Sequence, residues 1–218
     1  MNDSKMTNKK VLTAGEQSKL TPGSVIALLK EGNEAFSNNR LQVNNSMERA
    51  RDAVGGQYPA AVVLSCIDSR VPVEDIFQCG IGDLFVARVA GSVVNPDILG
   101  SLEYACKVSG AKLVVVMGHE HCGAIKSAVN NVELGNITGL LSKIKPAVEQ
   151  AKEGFTGGET TSANHDFLEA VCYANVERGV TQIRRDSPVL KAMEDCGEIQ
   201  IVGAMYHLST GKVSFFEL

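Results

Sequence analysis

No apolar run in this chain approaches the roughly 18 residues that a bilayer-spanning helix needs. No block of basic residues is present either, and the net charge is −4, which speaks against nucleic acid or an anionic membrane as a partner. The first residues, MNDSKMTNKKVLTAGEQSKLTP, lack an apolar h-region and so do not read as an intact secretory signal. The expectation is a cytoplasmic protein, or a periplasmic one whose leader has been removed. Internal repeats and low-complexity segments are missing. There is no CxxC pair, which counts against a thiol redox protein. Tryptophan is absent altogether, so no site can use an indole.

What is present is ordinary for a soluble globular chain. Hydrophobic residues make up 44% and charged residues 21% of 218 positions. That length favours one domain. We read residues 1–20 as a flexible arm and 21–218 as a single domain. From Leu20, LTPGSVIALLKEGNEAFSNN has helix grammar, with Thr21 as cap and Pro22 in the first turn. A polar stretch runs from there to Gln57. The segments at 60–65, 83–90, 112–118 and 198–208 read as buried strands, continuous rather than alternating in polarity. Between them, 97–109, the stretch from Gly123, 164–185 and SPVLKAMEDCG read as helices, the last stopped by Gly197. The tight turn STGK leads to a final strand, VSFFEL. This alternation predicts an α/β fold: a mostly parallel central sheet of four strands plus an antiparallel edge strand, flanked by helices.

Two stretches carry chemistry. SCIDSRVP (65–72) follows the first strand, and GHEHCGAI (118–125) follows the third. Functional groups in parallel α/β sheets gather beyond the carboxyl ends of strands, so both stretches arrive at one sheet edge. Cys66, His119 and Cys122 offer two thiolates and an imidazole, a suitable set for tetrahedral Zn²⁺. Three protein ligands with an open fourth position make a catalytic site, and four make a structural one. Asp68 is a possible fourth ligand in a closed state, unless Arg70 holds its carboxylate in a bidentate pair.

CIDSR (66–70) together with GHEHCG (118–123) resembles the β-class carbonic anhydrases, and the likeness extends through FVARVAGS, SLEYA, SPVL and IVGAMYHLSTGKV. The resemblance implies zinc-dependent reversible hydration of CO₂ to bicarbonate and a proton, by zinc-hydroxide attack. It implies zinc on Cys66, His119 and Cys122, with Asp68 and Arg70 as a catalytic dyad. By the same likeness Gln57 contacts substrate, and Val71 and Phe85 line the CO₂ pocket. The family is built as dimers that often pair further, with the active site at the dimer interface and an N-terminal helix that wraps the neighbour. One subgroup is locked at low pH by bicarbonate held by a Trp, an Arg and a Tyr. The matching positions here are Val63, Arg88 and Tyr206, so we expect no such lock and a structural role for Arg88.

The remaining residues have plainer readings. Cys79, Cys106, Cys172 and Cys196 read as core or surface thiols. His121 reads as a solvated loop residue, and His165 and His207 as ordinary. Competing functions are hydrolysis of carbonyl sulfide or carbon disulfide on the same scaffold, a non-catalytic zinc protein closed by Asp68, and a thiol redox protein.

Overall fold

The computed structural model describes residues 10–40 and 46–216. Five strands form one sheet in the order β2-β1-β3-β4-β5: β1 Ala61–Ser65, β2 Leu84–Arg88, β3 Leu113–His119, β4 Gln200–His207 and β5 Lys212–Phe216. The first four run parallel and β5 runs antiparallel to β4, as the sequence pattern predicts.

The helices explain the strands' unbroken apolar character. Successive side chains of a strand point to opposite faces, and both faces are covered. Val62, Leu64, Val114 and Val116 face α5 (Pro96–Glu103), α9 (His165–Asp186) and α10 (Pro188–Asp195), meeting Leu102, Val176, Val180 and Leu190. Ala61, Val63, Leu113, Val115 and Met117 face α2 (Pro22–Ser37) and α4 (Val73–Ile76), meeting Val25, Leu29 and Ile76. Four further α-helices lie among the described residues, α3 (Ser46–Asp52), α6 (Gly123–Val129), α7 (Gly135–Leu141) and α8 (Lys145–Gly154), with the single turn α1 at Ala14–Gln17 and short 3-10 turns at Ala53–Gly55 and Ala90–Ser92. After Glu103, helix α5 widens into a π-helical turn at Tyr104–Val108.

The start of α2 follows its sequence grammar. Thr21 Oγ1 accepts from the Ser24 N–H at 3.2 Å, Ser24 Oγ accepts from the Thr21 N–H at 3.0 Å, and Pro22 opens the first turn. The far end of the helix is pinned to its own chain. Buried Asn33 donates from Nδ2 to the carbonyls of Ile76 (3.3 Å) and Gly211 (2.8 Å), and its Oδ1 accepts from the Val213 N–H at 2.7 Å. Gly32 lies so close to α4 that a Cβ there would come within 1.9 Å of the Phe77 carbonyl oxygen. Val25 and Leu29 of α2 are buried against the sheet, while Ile26 and Leu28 stay half-buried.

Residues 1–9 lie outside the described residues, but Gln17 is buried and its Nε2 donates to the carbonyls of Pro59 (2.8 Å) and Ser109 (2.7 Å). One amide thus docks this segment onto the body. The polar stretch before Gln57 holds α3, whose Arg49 is 1% exposed. Its guanidinium pairs with Asp83 and donates to the carbonyls of Ile81 (3.1 Å) and Lys10 (3.0 Å). Burial pushes the Asp83 carboxyl above its ordinary pKa despite this cation and the Gly80 N–H. Arg49→Ala leaves that carboxylate buried without its partner, and we expect a loss of about 3–5 kcal/mol. The check is the urea midpoint at constant m-value; a shift under a fifth of that would mean the pair is dispensable.

Candidate metal centre

Strand geometry brings the two informative stretches together. Strands β1 and β3 are parallel neighbours, with Leu64 opposite Val116, so Cys66 and His119 emerge at the same sheet edge. Cys122 follows His119 on a turn that opens α6. The donor atoms of Cys66, His119 and Cys122 all lie within 4.8 Å of one another. All three residues are buried, at 4%, 1% and 6% exposure, so the donors sit in a low-dielectric pocket rather than on a solvated loop.

Local backbone makes this approach possible. Gly91 has φ +68, and a Cβ there would meet Ile144 Cδ1 at 2.7 Å and Ala124 Cβ at 3.3 Å. Only glycine fits both demands. Its N–H donates to Cys66 Sγ at 3.4 Å, and its carbonyl accepts from Asn175 Nδ2 at 2.8 Å.

The donor chemistry fits a metal. His119 Nδ1 is 2.8 Å from the Glu120 carbonyl, which can only accept, so Nδ1 carries the proton and Nε2 presents its lone pair. That Nε2 is buried and has no protein hydrogen-bond partner. An orphaned acceptor beside two thiols is costly unless something electrophilic meets it. The thiols point the same way. A hydrogen bond from Cys122 pulls the Cys66 thiol down, and the same interaction, reinforced by burial, pushes Cys122 up. Two buried thiolates would need a cation beside them, and a soft divalent ion such as Zn²⁺ suits the set.

Asp68 is not among the converging donors. Arg70 Nε donates to Asp68 Oδ1 at 2.9 Å and Nη2 to Oδ2 at 2.8 Å, while the Arg70 N–H adds a third bond to Oδ1 at 2.9 Å. This grip, above all the Arg70 side chain, holds the carboxyl down at about 2. The nearer oxygen, Oδ2, lies 3.9 Å from His119 Nε2. Arg70 Nη2 also donates to the His121 carbonyl at 3.1 Å and so joins the two stretches. Arg88 braces them from β2, with Nε donating to the Cys66 carbonyl at 2.9 Å and Nη2 to the Asp68 carbonyl at 2.7 Å.

Of the other candidate residues, Val71 adjoins this site, its N–H donating to the Asp68 carbonyl at 3.1 Å, while Phe85 and Gln57 lie elsewhere in this chain. Phe85 pairs with Val62, four residues before Cys66, a separation of about 13 Å along the strand direction. It lines an open groove with Val86, Gly100 and Tyr104, and its ring meets Tyr104 edge-on at 6.4 Å. Gln57 is exposed before the start of β1, at the opposite sheet edge from Cys66. Val71 is fully buried in the core under α2. Of the remaining thiols, Cys106 and Cys172 are buried, burial pushes both up to about 12, and Cys196 is exposed. Burial also raises Cys79.

Two arrangements were not legible in the sequence. His121 and His165 meet edge-on, with ring centroids 4.5 Å apart. Glu120, inside GHEHC, reaches His207 across the sheet end. A carboxylate directly beside a ligand histidine was a usable signal for the second; the first depends on where α9 begins.

Comparison with known proteins agrees with this geometry. The carbonic anhydrase family model matches residues 61–213, well over half of the chain. A carbonic anhydrase of Mycolicibacterium smegmatis is 34% identical over 191 residues, covering 85% of this chain and 88% of that protein. Carbonic anhydrase 2 of Mycobacterium tuberculosis is 34% identical over 185 residues, covering 84% and 87%. Among solved structures, the β-carbonic anhydrase CcaA superposes with a TM-score of 0.71 at 23% identity, over 88% of this chain and 95% of that one. The β-carbonic anhydrase CafA of Aspergillus fumigatus gives 0.69 at 25% identity, over 89% and 90%. A tetrameric β-carbonic anhydrase of Sordaria macrospora gives 0.70 at 21%, over 89% and 98%. With its parallel sheet, its Cys-His-Cys cluster and relatives along most of its length, the chain belongs to the β-carbonic anhydrase family.

Proposed function

We propose that this protein is a zinc enzyme that interconverts CO₂ and bicarbonate, with Cys66, His119 and Cys122 holding the metal. The observation that carries the proposal is the buried convergence of these three donors beside a carboxylate that Arg70 holds in a bidentate pair. A zinc ion there supplies the Lewis acid that makes hydroxide available near neutral pH. The chain's own groups do the rest. Asp68, ionised across the neutral range, accepts a hydrogen bond from the nucleophile and turns its lone pair toward carbon. Arg70 keeps that carboxylate charged and directed away from the metal position. The proof is metal analysis beside stopped-flow CO₂ hydration: one zinc per chain and catalysis are expected. A zinc-loaded protein with no hydration activity would instead favour a closed, structural site.

The substrate pocket requires a second chain. Gln57 and Phe85, assigned to substrate by family likeness, sit too far from the Cys66 cluster of their own chain to share its pocket. A homodimer or tetramer brings them to a neighbour's cluster, and the tetrameric relative from Sordaria macrospora supports assembly. Light scattering at micromolar concentration should find no active monomer.

The bicarbonate lock is expected to be missing. Val63 is fully buried among Val86, Val71 and Tyr206 and has no N–H to offer on its side chain. Arg88 gives its Nε and one Nη2 N–H to the Cys66 and Asp68 carbonyls, so two of its five donors are engaged in bracing the loop. A ligand shifts an equilibrium only through differential affinity, and Val63 gives bicarbonate no donor. Activity near pH 7.5 should fall smoothly with added bicarbonate. Cooperative inhibition would show that Val63 leaves the lock intact.

A further inference from the structure

Glu120 stands between two metal-ligand residues in sequence, yet its carboxylate is anchored on the β4–β5 hairpin. His207 Nδ1 donates to Oε1 at 3.0 Å, while the Ser209 N–H and hydroxyl donate to Oε2 at 3.2 and 3.3 Å. The Glu120 N–H donates to the Tyr206 carbonyl at 3.1 Å. Its own carbonyl accepts the His119 Nδ1–H at 2.8 Å. The next residue, His121, has φ +55, a backbone conformation that a non-glycine residue keeps only when its surroundings hold it. Arg70 holds the far side of that residue through its carbonyl. The near side is held by Glu120.

We propose that Glu120 is a positioning residue. By tying the turn 119–122 to the β4–β5 hairpin, it fixes the carbonyl that sets the tautomer and ring orientation of His119, and so aims Nε2 at the metal. The proposal rests on the reading of Cys66, His119 and Cys122 as the zinc centre. Partners of this kind govern metal retention as well as catalysis. Glu120, Glu169 and His207 are also close enough to hold a cation of their own. However, the oxygens of Glu120 are taken up by His207 and Ser209, which favours the anchoring role.

The test compares wild type, Glu120→Ala, Glu120→Gln and Ser209→Ala, each loaded with one equivalent of zinc. Zinc release to excess chelator should be about 10–100-fold faster in Glu120→Ala. Glu120→Gln, which keeps an acceptor oxygen, should fall between, and Ser209→Ala should move the same way by less. In the Co²⁺-substituted proteins, the d–d and thiolate-to-cobalt bands of Glu120→Ala should shift, reporting a reoriented imidazole. A folded Glu120→Ala with wild-type release and an unchanged cobalt spectrum overturns the proposal. Should that variant fail to fold, unchanged release from Ser209→Ala overturns it equally. Loss of a second zinc equivalent from a two-zinc wild type would also overturn it, marking the carboxylate as a ligand of a separate site. A wild type that binds no zinc fails differently, because it removes the metal centre itself and this inference with it.

Discussion

Cys66→Ser and Cys122→Ser will each purify with little zinc and no measurable CO₂ hydration. A serine hydroxyl does not deprotonate near neutral pH and is a hard donor, so each change removes both a charge and a coordination bond. Loss of an outer partner already costs metal affinity roughly 10–100-fold, and loss of a ligand should cost more. Burial strengthens the case, since neither position admits water freely to replace the missing sulfur. Cys196→Ser is the matched control, because Cys196 is exposed and outside the cluster. Zinc analysis decides the matter: full occupancy in either ligand variant would mean the assignment is wrong.

Asp68→Asn is the second large effect, and of a different kind. Activity should fall by about 10²-fold or more, the scale of a positioned proton acceptor, while zinc content stays near wild type. Arg70→Ala should lose activity similarly, because it frees the Asp68 carboxylate to swing toward the metal. The pH behaviour separates the two. The Asp68 carboxyl is held at about 2, below the 3.8 of an ordinary aspartate, so its pairing stabilises the fold above that ordinary value and the contribution fades as pH falls toward 2. Without Arg70 the carboxyl returns toward its ordinary range, and the acid limb of the activity profile should move up. Wild-type hydration rates in both variants would remove the dyad from the mechanism.

The sheet was legible because its strands are covered on both faces. AAVVLS and KLVVVMG have no polar side to confuse with a surface strand, and the motifs at their ends locate the site edge. Cys66, His119 and Cys122 were legible for the same reason, as was the Asp68–Arg70 pair from two residues' spacing. Features that depend on distant partners were not. Arg49 reads as one more charge in a polar stretch until Asp83 and two carbonyls are seen around it. Gln17 reads as arm until Pro59 and Ser109 receive its amide. The amphipathic pattern of α2 says that one face is buried, but not that Asn33 and Gly32 tie its far end to Ile76, Phe77 and Gly211.

The bracing around the cluster bears on how metal and folding are coupled. Arg88 grips the Cys66 and Asp68 carbonyls, Arg70 spans from Asp68 to the His121 carbonyl, and Glu120 fixes the His119 ring. The chain itself thus meets the entropy cost of gathering ligands from segments some fifty residues apart in sequence. A small zinc finger leaves that cost to its ion and unfolds when the ion is removed. Here the donors are preorganised by a sheet and three anchors. Binding energy need not be spent on ordering loops, and the affinity the site reaches belongs almost wholly to the donors.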